Sequence, residues 1–154
     1  MIGIRPYTPN DLDTVIEIFR RAILETASKD YNEAQIQAWA QVDRNRWQIH
    51  RQSRPTWLAF FNDQAAGFTD LEPDGHLDML FVHPLYQGRG VATALIRTVE
   101  AAAREQHLQR IFTEASITAK PFFEKQGFTL VTDQWVEVRG QRLQNFKMEK
   151  YIVA

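Results

Sequence analysis

The stretch His76-Leu-Asp-Met-Leu-Phe-Val-His-Pro-Leu-Tyr-Gln-Gly-Arg-Gly-Val-Ala-Thr-Ala-Leu95 reads as a strand, a tight glycine turn and the start of an amphipathic helix, and the rest of the chain is organised around it. A helix beginning near Gly90 has several main-chain N–H groups with no partner inside the helix. Gln87-Gly88-Arg89-Gly90 offers no Ser, Thr, Asp or Asn to cap them. The two glycines let a ligand approach closely, Arg89 adds positive charge, and the helix dipole points its positive end at the same spot, so a phosphate or pyrophosphate is the natural missing cap. Water would also satisfy such a turn, and the motif alone leaves both readings open.

At 154 residues the chain has the size of one domain, and it buries about two-thirds of the surface its unfolded form exposes. Lys and Arg number 18 against 19 Asp and Glu, for a net charge of −1 without a basic run, which argues against nucleic acid as a partner. The absence of cysteine excludes disulfides, thiolate metal sites and a Cys nucleophile. Met1-Ile-Gly-Ile-Arg-Pro6 lacks the apolar core of a signal peptide and no apolar run is long enough to span a membrane, so the expectation is a soluble cytoplasmic protein with no membrane partner.

Ile2 and Ile4 suggest a short first strand. Thr8-Pro-Asn-Asp11 then starts a helix whose apolar series is Leu12, Val15, Ile16, Phe19, Ala22 and Ile23. A second helix begins at Asn32, with Gln35 placed for a capping box, and runs on irregularly past Trp47. Trp57–Phe61 and Ala65–Leu71 form a hairpin, and Glu72-Pro-Asp-Gly75 turns the chain into a strand over His76–Val82. After the glycine turn, Val91, Leu95, Val99, Ala102 and Gln106 mark a helix of about four turns. Arg110–Ala115 is a strand, and a helix from Thr118 stops at Gly127. Phe128–Val131, Gln134–Val138 and Leu143–Met148 close the chain as strands. The order predicts an α/β fold in a single domain, 1–154, with a central mixed, mostly antiparallel sheet of about seven strands flanked by about four helices.

These residues resemble the GNAT superfamily of acetyl-CoA-dependent N-acetyltransferases, whose element order matches over essentially the whole chain. Gln87-x-x-Gly90-x-Ala92 is similar to the family's (Gln/Arg)-x-x-Gly-x-(Gly/Ala) signature. Ser116-Ile-Thr-Ala-Lys-Pro-Phe-Phe-Glu-Lys-Gln-Gly-Phe128 is similar to its late segment Asn-x-x-Ala-x-x-(Leu/Phe)-Tyr-x-x-x-Gly-Phe. The resemblance implies that main-chain N–H groups of Gln87, Gly88, Arg89, Gly90, Val91, Ala92 and Thr93 hold the coenzyme A pyrophosphate. It implies too that the main chain of Leu80, Phe81 and Val82 pairs with the pantetheine arm, and that Ser116, Phe122 and Phe123 flank the cofactor. Ser116 stands in the usual Asn position, and Phe123 where many members carry a Tyr that protonates the leaving thiolate.

Acetyl transfer needs a neutral amine, a polarised thioester carbonyl and a departing thiolate. A main-chain N–H from the Leu80–Val82 region would supply the oxyanion donor. The thiolate, with a pKa of about 8.5 by analogy with free cysteine, leaves tolerably without a proton donor. Strand alternation puts His76, Asp78, Leu80 and Val82 on one side, and the resemblance, in which an acidic group at this strand often deprotonates the amine, implies Asp78 as the first candidate base and His76 as the second, with Glu114, on the neighbouring strand, a weaker third; structural roles for all three stay open. His83 reads as fixing the turn before Pro84, and the four histidines show no metal-ligand spacing. The acceptor pocket is expected between the early helices and the final hairpin, with Tyr31, Trp39, Trp57 and Trp135 as an aromatic wall for a flat or cationic substrate.

The reading is an acetyl-CoA-dependent N-acetyltransferase acting directly on a primary amine of a small molecule or peptide, without a metal, in a chain that leaves room for a homodimer. The alternative is a non-catalytic acyl-CoA-binding module, which Phe123 favours. A Rossmann dinucleotide site is rejected: Thr93 replaces the third glycine of that fingerprint and the turn comes too late in the chain.

Overall fold

The computed structural model describes residues 1–152. Its first sheet is an antiparallel meander in the order β1 (Ile2–Pro6), β2 (Thr56–Phe61), β3 (Gln64–Asp70) and β4 (Leu80–Val82). The β2–β3 hairpin turns on Asn62 and Asp63, both left-handed with φ of 47° and 69°, a conformation that these two residue types adopt more readily than most. The second sheet, β5 (Arg110–Ser116), β6 (Thr129–Val138) and β7 (Gln141–Tyr151), has the order β5-β7-β6 and is also antiparallel. The sequence pattern predicts two strands within 128–138; β6 is one strand, with a register shift between Leu130 and Thr132 absorbing the irregularity.

Helix α1 (Leu12–Arg21) continues into a wider π turn, Ala22–Thr26. Helix α2 (Glu33–Trp39) begins with the expected reciprocal cap: the Gln35 N–H donates to Asn32 Oδ1 and the Asn32 N–H to Gln35 Oε1, both at 2.8 Å. The chain then breaks instead of running on. Asp43 accepts the Arg46 N–H at 3.2 Å and starts a separate helix, α3 (Arg44–Ser53). Helix α4 (Val91–Glu105) lays Val91, Leu95 and Val99 into the core as its spacing predicts, then buries Ala103 in place of the expected Ala102. Helix α5 (Lys120–Lys125) ends at Gly127, φ 90°, where the Phe128 N–H reaches Phe123 O (3.0 Å) and the Gly127 N–H reaches Glu124 O (3.1 Å). The Phe123 and Phe128 rings close this cap at 5.1 Å.

Helices cover both faces. Val15, Phe19 and Ile36 pack with Leu58 and Phe68 on one side, and α4 packs Ile96 and Val99 with Leu77, Ile111 and Met148 on the other. Each such side chain contributes about 1.5–3 kcal/mol by leaving water.

The two sheets touch through an isolated parallel bridge between His76 and Phe112. The Leu77 N–H donates to Phe112 O at 2.9 Å and the Phe112 N–H to Gly75 O at 3.1 Å. Past that point β4 and β5 separate. The strand expected over His76–Val82 is regular only from Leu80, because buried Asp70 captures the Asp78 and Met79 N–H groups with one oxygen (2.9 and 3.0 Å) while Thr69 Oγ1 donates to Met79 O at 2.8 Å. This local bulge breaks the alternation: Leu77, Leu80 and Val82 pack toward α4, whereas Met79 and Phe81 pack toward α1. His76, Asp78, Leu80 and Val82 therefore do not form one continuous face.

Candidate active site

The gap between β4 and β5 is the centre of the site. The His83 N–H crosses to Ala66 O at 2.8 Å, so by antiparallel alternation the main-chain groups of Phe81 point into β3 and those of Leu80 and Val82 point into the gap. Of the three residues expected to pair with a pantetheine arm, Phe81 thus has its main-chain groups turned away from the gap. Val82 O is taken by Gln87 Nε2 at 3.2 Å.

A cavity of about 160 Å³ lies on this edge between the π turn and α5, walled by Ile23, Leu80, Val82, Ala119 and Phe122. It shares Val82, Gln87, Ala92 and Phe122 with a second cavity of about 170 Å³ over the glycine turn. There Gly88 and Gly90 are left-handed (φ 72° and 83°), and Gly90 occupies the N-cap of α4 with no side chain capping the first turn. Ala92 and Thr93 line this cavity, and Val91, which also borders it, is 1% exposed. Arg89 lies over the Phe61 ring at 5.4 Å. Ser116 Oγ accepts the Ala119 N–H at 3.0 Å and holds the turn before α5. Phe123 is buried between Phe122 and Phe128, so no tyrosine-like hydroxyl is present at that position.

Where Trp39, Phe81 and Ser116 meet, the first cavity borders a third, of about 340 Å³, between α1, α2 and the β6–β7 hairpin. Asp78 and Glu114 line it. Of the expected aromatic wall, Tyr31 and Trp39 are there, their rings 5.5 Å apart. Trp57 lies against a different cavity beside Pro6, and Trp135 is 54% exposed under the Arg142 guanidinium.

Behind the two carboxylates runs a charged chain. His76 Nδ1 donates to Glu72 Oε1 (2.8 Å) and its Nε2 to Glu114 Oε1 (2.7 Å). The Glu114 bond first, and Glu72 after it, hold the imidazole as a cation, its pKa pushed up to about 9. With both nitrogens donating, the ring has no lone pair for a base role; it orients Glu114 instead. Arg54 Nη1 bonds Glu72 at 2.8 Å and stands 3.4 Å from Asp78. Glu72, His76 and Asp78 have ligand atoms within 4.8 Å of one another, as a metal site would, but this guanidinium already brings positive charge to that group. Below it, Arg51 Nη1 bonds Asp70 Oδ2 at 2.8 Å, with the two side chains 1% and 0% exposed. Sequence reasoning does not reach Arg51, Arg54, Asp70 or Glu72. The one signal it offers is an Asp closing the otherwise apolar run Ala65–Leu71.

His83 fixes the turn as expected, its Nδ1 accepting the Leu85 N–H at 3.1 Å. Burial first, then the Arg21 charge, keep its pKa below the ordinary value.

The raised His76 pKa stabilises the fold fully below the unfolded value near 6.5, and that stabilisation is lost as pH climbs through about 9. The expected result is a ring titration with a midpoint near 9 by NMR, and a loss of stability between pH 7 and 10 larger in the wild type than in His76→Gln. A midpoint near the ordinary imidazole value of about 6.5 would remove the ion-pair assignment.

An open parallel seam beside an uncapped glycine turn fits an acyltransferase of the GNAT type, and sequence comparison shows the family: the acetyltransferase (GNAT) domain model matches residues 27–150. The chain belongs to this family. It is 44% identical over 147 residues to the uncharacterized N-acetyltransferase YafP of Escherichia coli K12, covering 96% of this chain and 94% of that one. A crystal structure of a GCN5-related N-acetyltransferase from Rhodopseudomonas palustris superposes with a TM-score of 0.93 at 34% identity, covering 97% and 94% of the two chains. A putative acetyltransferase from Salmonella typhimurium, solved with acetyl-CoA, has the same fold at a TM-score of 0.75 and 17% identity, over 100% and 95%. Among the described residues no helix is long and apolar enough to cross a membrane.

Proposed function

We propose that the protein moves the acetyl group of acetyl-CoA directly to the primary amine of a small molecule or peptide. The observation that carries this reading is the continuity of the cleft: the gap-facing main-chain groups of Leu80 and Val82 lead from the uncapped turn to a cavity bearing Asp78 and Glu114. The N–H groups at Gly88–Thr93 bind the pyrophosphate, with the glycines supplying room and the α4 dipole a favourable field. The pantetheine arm lies along β4 and pairs with Leu80 and Val82. The Leu80 N–H, one of the two unpaired donors of this edge, stabilises the oxyanion, an interaction that supplies about 3–4 kcal/mol in comparable sites.

Asp78 takes the proton of the attacking amine. Glu114, held by His76, is the second carboxylate of the pocket and binds the incoming ammonium. The Ser116 hydroxyl, whose oxygen accepts the Ala119 N–H, keeps its O–H free to hydrogen-bond the departing thiolate, which leaves unprotonated and takes its proton from solvent. An acyl-enzyme route has no support, since the chain has no cysteine and Ser116 Oγ is held by a donor and not by a base.

The test is thiol release from acetyl-CoA over a panel of primary amines, with Asp78→Asn in parallel. Turnover is expected with at least one amine, and the variant should lose about 100-fold or more in kcat with unchanged coenzyme A affinity. Tight acetyl-CoA binding with no acetylated amine would instead identify an acyl-CoA-binding module.

A further inference from the structure

Resting on that reading, we infer that the acceptor is a monoamine carried on a flat apolar body, an arylalkylamine, and not an amino acid or a polyamine. The cavity of about 340 Å³ is at the small end of ligand pockets. Four aromatic rings stand in its wall: Phe19 meets Phe81 edge-on at 5.0 Å, and Trp39 meets Phe81 at 6.3 Å and Tyr31 at 5.5 Å. Rings in such a wall offer edges and faces against which another ring can pack.

Several polar groups of the same wall are committed to the protein. Tyr31 Oη donates to Gln144 O (2.6 Å) and accepts the Ile117 N–H (2.9 Å). Arg139 Nη1 donates to Ala38 O at 2.8 Å, and Gln144 Nε2 reaches Asp133 at 3.3 Å. Toward the thioester the pocket presents the carboxylates of Asp78 and Glu114 and Asn145 Oδ1, which is buried without a partner. Asn145 sits directly opposite Ser116 on β7, beside the junction where the thioester enters. Together these groups can accept the N–H bonds of one primary ammonium.

Charge completes the selection. Four carboxylates (Asp70, Glu72, Asp78, Glu114) face three cations (Arg51, Arg54, His76), leaving one unit of negative charge at the end of the pocket where the amine docks. A carboxylate next to the amine, as in an amino acid, would be repelled there. The second ammonium of a diamine would lie against rings with no free carboxylate to meet it.

The experiment compares acetylation of phenethylamine, phenylalanine and diaminobutane, and measures phenethylamine binding by calorimetry with coenzyme A present. Phenethylamine should exceed phenylalanine in kcat/KM by about 100-fold, from like-charge repulsion alone. Asn145→Leu should raise the KM for phenethylamine about tenfold with the acetyl-CoA KM unchanged. Equal or better use of phenylalanine or diaminobutane would overturn the inference while leaving acetyl transfer intact. Phenethylamine binding without transfer would keep the inference and defeat the catalytic reading. Absence of both binding and transfer would overturn it.

Discussion

Gly90→Glu is expected to abolish coenzyme A binding in a protein that still folds. Gly90 has φ 83°, and a Cβ built there meets nothing nearer than Ile2 Cδ1 at 3.7 Å, so the substitution adds backbone strain without a clash. That strain costs about 1–2 kcal/mol, a fraction of the roughly 5–15 kcal/mol by which domains are stable. A carboxylate at the start of α4 returns part of it by interacting with the helix dipole, roughly 0.3–1 kcal/mol. The same carboxylate occupies the donors proposed for the pyrophosphate, and like charges about 4 Å apart near a protein surface repel by about 4 kcal/mol, a loss of about a thousandfold in affinity. Gly90→Ala carries the strain without the charge and should bind within several-fold of wild type. Calorimetry with coenzyme A and thermal unfolding of both variants make the test. Wild-type affinity in Gly90→Glu would move the pyrophosphate away from this turn.

The features legible in the sequence are those whose causes are local. Asn32 and Gln35 cap α2 within one turn of helix, Gly127 stops α5 through bonds to residues three and five positions back, and the β2–β3 hairpin turns on two adjacent residues. The segment 76–82 misleads because its conformation is set from a distance. An alternating strand is the correct local reading, but Asp70 reaches across eight and nine residues to take two consecutive N–H groups and bulges the chain. The same holds in the site. Asp78 and Glu114 can be singled out as carboxylates near the cleft, yet the protonated state of His76 depends on Glu114, 38 residues away and brought near by the bridge between the two sheets. The α2–α3 break is the nearest miss: Asp43 is an ordinary capping residue, but Trp47 beyond it suggests continuity of the apolar stripe.

Asp70→Ala should be severely destabilising, and its effect should reach the reaction. Removing the carboxylate leaves the Arg51 guanidinium charged and 1% exposed, with Nε and Nη2 already lacking partners, and strands the Asp78 and Met79 N–H groups. Breaking a buried pair from one side costs about 3–5 kcal/mol, which lowers Tm by roughly 10 °C for a chain of this size. Burial pushes the Asp70 carboxyl above its ordinary pKa and Arg51 only partly opposes this, so the pair is not itself a large source of stability. Two further variants separate these contributions. Asp70→Asn keeps an oxygen for the two N–H groups but removes the charge, and should be nearly as unstable as Asp70→Ala. Arg51→Met combined with Asp70→Asn removes the stranded cation and should recover most of the loss. If Asp70→Asn alone unfolds at the wild-type temperature, the ion pair is irrelevant to stability and the bulge rests on the two N–H bonds. Activity discriminates further. In Asp70→Asn the nearest remaining carboxylate to Arg51 is Asp78, 3.7 Å from Nη2, so the uncompensated cation draws the proposed base inward and kcat falls. In the double variant that attraction is gone, and turnover should return together with stability.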